Sequence, residues 1–122
     1  LIIAEPYTLS RAMDFDEYQD RAEETAIFPD ELPDFIETGQ VYTVLGEAGE
    51  TGEIAEKLKK AIREDDPDYI EDMRAEIGDV LWYLSQVCEE FDWEMGAIAE
   101  ENIEKLQDRQ ERDQLTGEGD DR

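Results

Sequence analysis

Histidine is absent from the 122 residues, and cysteine occurs once, at Cys88. The first absence removes Ser-His and Cys-His catalysis, His-ligated zinc and the Glu-x-x-His ligand pairs of di-iron bundles. The second removes any internal disulfide, and Cys88 falls on an apolar helical stripe, where it reads as a small core residue. Cations are scarce too. Eleven Lys and Arg stand against 36 Asp and Glu, a formal charge of −25, which argues against a basic nucleic-acid-binding patch. No apolar run approaches the roughly 18 residues of a membrane span, and no secretory leader pattern is present. These absences predict a cytoplasmic protein with neither nucleic acid nor membrane as partner. The opening at Leu1 implies an initiator Met upstream.

An acidic excess of this size fits a disordered acidic chain, a nucleic-acid mimic, or a folded protein whose surface stays soluble in high salt. The hydrophobic fraction of 39% and its strong periodicity in mid-chain favour the folded, salt-adapted protein. The length suits a single domain over 1–122 with one modest core. With His gone, only hard oxygen ligands remain for a metal. Mg²⁺ or Mn²⁺ is then the natural cation, and Ca²⁺ is less suited because no Gly-turned calcium loop is present.

Residues 1–13 read as an irregular lead-in. Acids open a first helix from Asp14 to about Thr25, where the helix dipole favours them. Pro29 and Pro33 then impose a loop over 28–38. Val41, Val44, Leu45, Ala48, Ala55, Leu58 and Ile62 follow the 3.6-residue period and predict a second helix from near Gly39 to Arg63. Asp66 and Pro67 mark the start of a third, whose stripe runs through Ile70, Met73, Ile77, Val80, Leu84, Val87 and Phe91. Asp92 reads as the N-cap of a fourth helix reaching about Arg112, and 113–122 as an irregular tail.

The second and third helices carry the same short pattern, Glu47-Ala48-Gly49-Glu50 and Glu76-Ile77-Gly78-Asp79. Acids three residues apart share one side of a helix and can share a cation. At about 100° per residue, each apolar stripe centres about 80° from the first acid, and the second acid lies near about 300°. Both pairs therefore border the core in the same frame, with Ile54 and Tyr83 in equivalent places. Glu-x-x-acid spacings are hard to avoid in so acidic a chain, and a solvated face is the bland alternative. Glycine at the third position each time argues for more, because it costs about 1 kcal/mol against Ala in a helix interior. Gly49 and Gly78 are expected to let two backbones approach so that four carboxylates converge. On the fourth helix, Asn102, Lys105 and Arg109 align an amide and two cations suited to phosphates. Lys57, Lys59 and Lys60 make a second basic spot, for which neutralisation of neighbouring acids competes as an explanation.

These residues resemble the all-α nucleoside triphosphate pyrophosphohydrolases of the MazG-like type, related to dimeric dUTPases and to phosphoribosyl-ATP pyrophosphohydrolase. The likeness is carried by Leu45-Gly46-Glu47-Ala48-Gly49-Glu50, by Ile54-Ala55-Glu56-Lys57-Leu58-Lys59-Lys60, by Glu76-Ile77-Gly78-Asp79-Val80-Leu81-Trp82-Tyr83-Leu84 and by Asn102 to Arg109, and it covers nearly the whole chain. It implies a bundle of four to five helices completed by oligomerisation, as a homodimer or homotetramer. It also implies that Glu47, Glu50, Glu76 and Asp79 bind Mg²⁺, with Mn²⁺ a possible substitute, and that Lys60, Asn102, Lys105 and Arg109 contact a triphosphate. Trp82 is a candidate pocket aromatic, and Glu47 or Glu50 a candidate catalytic base. Gly46 stands where the family's fuller Glu-Glu-x-x-Glu form has its first Glu, which makes Glu53 a candidate for positioning water. The activity implied is Mg²⁺-dependent hydrolysis of nucleoside triphosphates, dNTPs included, to monophosphate and pyrophosphate, as nucleotide-pool house-cleaning. A base-restricted dUTPase- or dCTPase-like enzyme and a non-catalytic acidic helical interaction protein are the competing readings.

Overall fold

A computed structural model of the chain describes residues 11–113 and 115–117. Among them are four helices and no strand: α1 Phe15–Glu23, α2 Thr38–Glu64, α3 Asp68–Glu90 and α4 Met95–Glu111. The all-α class and all four helices agree with the sequence pattern. Most of the predicted lead-in, and the tail from 118 onward, lie outside the described residues. The chain groups into two compact units, Leu1–Pro33 and Asp34–Arg122.

The first unit holds α1. Its N-cap is Asp14, whose carboxylate accepts the Glu17 N–H at 2.7 Å, satisfying one of the orphan donors of the first turn. The second unit holds α2, α3 and α4. Gln40 ties the start of α2 to the end of α3, because its Oε1 accepts the Glu37 N–H at 2.9 Å while its Nε2 donates to the Glu90 carbonyl at 3.2 Å. Asp65 ends α2 in the left-handed conformation, φ 49°, and the Asp66 N–H closes back on the Ala61 carbonyl. Asp66 then accepts the Asp68 N–H at 2.9 Å, the capping role its sequence position suggested, with Pro67 one residue ahead of α3 rather than inside it.

Asp92 is not the N-cap of α4. It stands at φ 56° and closes the end of α3, where the Trp93 N–H donates to the Cys88 carbonyl at 2.8 Å. An acid tolerates the left-handed well better than most residues do, and such a residue ends a helix rather than starting one. Glu94 takes the position before α4 instead.

Helices α2 and α3 run antiparallel along each other, and among the described residues theirs is the one extensive helix contact; α4 does not lie along either. The seam takes in only part of the apolar stripes. It follows the edge that carries Gly46, Glu50 and Lys57 on α2 and Glu76, Val80 and Tyr83 on α3. Of the α3 stripe, Met73, Val80, Val87 and Phe91 are half-buried, whereas Ile70 and Ile77 stay uncovered among the described residues, as do Leu45, 66% exposed, and Ile62, 75%, on α2. Among the described residues Cys88 is the apolar side chain that is buried, as expected for a small core residue. The hairpin thus folds around a mixed polar seam and presents much of its apolar surface outward.

Candidate metal centre

Along the α2–α3 seam, Glu50, Glu76 and Asp79 each place a carboxylate oxygen within 4.8 Å of the others. Glu76 and Asp79 come from one side of α3, and Glu50 faces them from α2. Glu47 is not part of this trio. One turn before Glu50 it accepts a hydrogen bond from the Thr51 hydroxyl at 2.8 Å, so the chain brings together three of the four acids in the repeated pattern.

The electrostatics follow from the crowding. Glu50 has its carboxyl raised above the ordinary carboxylate value, first because the seam shields it from water, then because Asp79, Glu76 and Glu53 are negative neighbours. Glu53 therefore reaches the cluster as a charge, from an exposed position. Lys57 brings a cation to the trio: its Nζ lies 3.7 Å from a Glu76 oxygen across the two helices, with both side chains largely shielded. Three converging oxygen donors that repel one another, with no imidazole or thiolate among them, suit a hard divalent cation of the Mg²⁺ or Mn²⁺ kind.

The other predicted site residues are distributed as follows. Lys60 pairs with Glu56 at 3.7 Å, and Lys59 pairs with the same carboxylate at 2.7 Å. The Lys59 hydrogen bond holds Glu56 below its ordinary range, followed in effect by the charges of Lys59, Lys60 and Arg63, so neutralisation accounts for Lys59. Trp82 is exposed and stands edge-on to Tyr83, ring centroids 4.9 Å apart at 85°. Asn102 and Lys105 line a shallow cavity of about 250 Å³ with Ile98 and Glu101, all from α4. Arg109 is only 3% exposed. The basic stripe of α4 is present, but packing within the described residues does not lay it along the carboxylates.

The glycines correct one expectation. A Cβ at Gly49 or Gly78 would meet nothing within 4 Å, so neither marks a close approach of α2 and α3. The approach is at Gly46, where a Cβ would fall inside the Tyr83 ring. Two residues named from the sequence take unforeseen parts in the site. Lys57, read as part of a basic spot, pairs with Glu76, a place legible in its spacing, since it lies seven residues and so about two turns from Glu50 on the same side of α2. Tyr83 was placed by angle beside Asp79, but its seat on Gly46 needed the other helix.

A segment covering residues 41–112 matches the MazG nucleotide pyrophosphohydrolase domain. It contains all four acids, Lys60, Trp82, Asn102, Lys105 and Arg109, and the chain belongs to that family. It is similar, in particular, to the Gene 37 protein of Mycobacterium phage L5, at 40% identity over 115 residues, which is 90% of this chain and all of the phage protein. No solved structure matches the chain. No helix among the described residues is long and apolar enough to cross a membrane.

Proposed function

We propose that this protein is a Mg²⁺-dependent nucleoside triphosphate pyrophosphohydrolase, acting on deoxynucleotides among others and clearing the cytoplasmic nucleotide pool. The observation that carries the reading is the convergence of Glu50, Glu76 and Asp79 inside the segment that matches the family. These three would hold the cation. When bound, it would supply positive charge to the phosphate oxygens and lower the pKa of a nearby water. Glu47, outside the trio and oriented by Thr51, is the better placed carboxylate to accept that water's proton, while Glu50 is drawn into the ligand set. Lys60, Asn102, Lys105 and Arg109 would bind the phosphates, and Trp82 the nucleoside end.

A second copy of the chain completes the site in this proposal, as a homodimer or homotetramer. The exposed stripes of α2 and α3 form an apolar surface of the sort that subunit contacts cover. The α4 stripe, on a helix that does not lie along α2 or α3 among the described residues, would be delivered to the carboxylate trio of the partner. The whole chain then serves one catalytic domain. Its large negative surface repels an anionic substrate, so added salt and cation should speed capture.

The test is pyrophosphate release from a panel of nucleoside and deoxynucleoside triphosphates, with and without Mg²⁺. Release that requires Mg²⁺ and vanishes in Glu50→Gln and Asp79→Asn, with helicity kept, is expected. No release from any substrate would leave a non-catalytic acidic bundle as the better account. Release confined to dUTP or dCTP would replace the general enzyme by a base-restricted one.

A further inference from the structure

Tyr83 reaches from α3 across to α2 and seats its ring over Gly46. A Cβ at that position would lie 2.6 Å from the ring's Cδ1 and nearer still to Cε1, a distance no packed side chain holds. Trp82 stands edge-on to the ring. Tyr42, one turn before Gly46, and the Glu50 and Asp79 carboxylates all lie near enough to bear on Tyr83 electrostatically. The register gives this contact its meaning. Gly46 is one turn before Glu50 on α2 and Tyr83 one turn after Asp79 on α3, about 5.4 Å along each helix. The ring-on-glycine contact is therefore the next layer of the seam after the carboxylates, and the Lys57–Glu76 pair closes the layer on the other side.

We propose that Tyr83, seated in the notch left by Gly46, is a positioning residue that sets the spacing of α2 and α3 at Glu50 and Asp79 and so fits the carboxylate trio to a small divalent cation. This rests on the metal reading above. Packed helices lie about 8–10 Å apart according to the side chains at the contact. With glycine under it, the ring fills the gap without forcing the axes apart. Any larger residue at 46 must expel the ring or spread the helices, and either change moves carboxylates one turn away. Mg²⁺ and Mn²⁺ need a tight octahedral shell near about 2.1 Å, whereas Ca²⁺ accepts longer and more irregular bonds of about 2.3–2.6 Å. Loosening the seam at the notch therefore weakens the smaller ions more than the larger one.

The test uses Mn²⁺ alone, titrated into the full chain and followed by electron paramagnetic resonance, with Ca²⁺ measured by competition. Gly46→Ala and Tyr83→Leu should each weaken Mn²⁺ binding by about tenfold or more, the range seen when the supports of metal ligands are removed, and should lower Ca²⁺ binding less. Tyr83→Phe keeps the ring and should keep most of the affinity. In the Tyr83→Leu background, Gly46→Ala should add little, since the two act through one contact. A residue that merely stabilised the fold would lower the melting temperature and leave the Mn²⁺-to-Ca²⁺ ratio where it was. Unchanged Mn²⁺ affinity in Gly46→Ala, or losses that add in the double variant, would overturn the notch while leaving the metal site standing. A parent chain that binds no Mn²⁺ would overturn both.

Discussion

Gly49 and Gly78 make a sharp test of how the helices pack. Each lies well inside its helix, and a Cβ at either would meet nothing within 4 Å. Replacing Gly by Ala in a helix interior ordinarily gains about 1 kcal/mol, from the backbone entropy that the unfolded glycine chain no longer loses. With no steric cost to offset it, Gly49→Ala and Gly78→Ala should each raise stability by about that amount. For a cooperative helical unit of this size that is a rise in melting temperature of roughly 4–8 °C. Thermal unfolding followed by circular dichroism, metal-free and at fixed protein concentration because assembly shifts apparent stability, measures it directly. Gly46→Ala is the internal contrast, because the same gain in propensity is met by the Tyr83 ring and the melting temperature should fall. A neutral or destabilising Gly49→Ala or Gly78→Ala would mean that a backbone does come close there, and it would refute the open placement of these glycines.

Two further outcomes follow from the exposed stripes and from the crowded carboxylates. Leu45→Glu together with Leu81→Glu places charge on the uncovered apolar face and should shift the protein to monomer in light scattering; an unchanged mass would show that the assembly uses another surface. Because the Glu50 carboxyl is raised in the folded chain, the stability tied to it is full below the ordinary carboxylate value and is lost as pH rises through the raised value. Glu56 and Glu64 have the opposite sign, lowered first by hydrogen bonds with Lys59 and Tyr69 respectively, so their part is present above the ordinary value and fades as pH falls through their lowered values; exposure and salt make it small. The metal-free parent should therefore lose stability with rising pH more steeply than Glu50→Gln does, and Mg²⁺ should cancel the difference. Parallel curves for the two chains would show that Glu50 does not feel Asp79 and Glu76.

Much of this protein is written locally. The period of the apolar residues, the prolines at 29, 33 and 67 and the capping acid Asp66 placed four helices, because a helix satisfies its hydrogen bonds within its own segment and its ends depend on neighbours in the chain. The acid pairs were legible for the same reason, since residues three apart meet on one helix whatever lies opposite. Their recurrence, together with the match over residues 41–112, was enough to point to the family. What faces what is a property of two helices at once. The stripe on each helix looked like the core, yet the seam runs along the acid edge, takes in Val80 and leaves Leu45, Ile62 and Ile77 outside. The repeat suggested four equal carboxylates, and the tertiary structure gathers Glu50, Glu76 and Asp79 while leaving Glu47 with Thr51. Even the glycines changed places: the two in the repeated pattern face open space, whereas Gly46 admits the Tyr83 ring, because only the other helix carries the ring that needs the room.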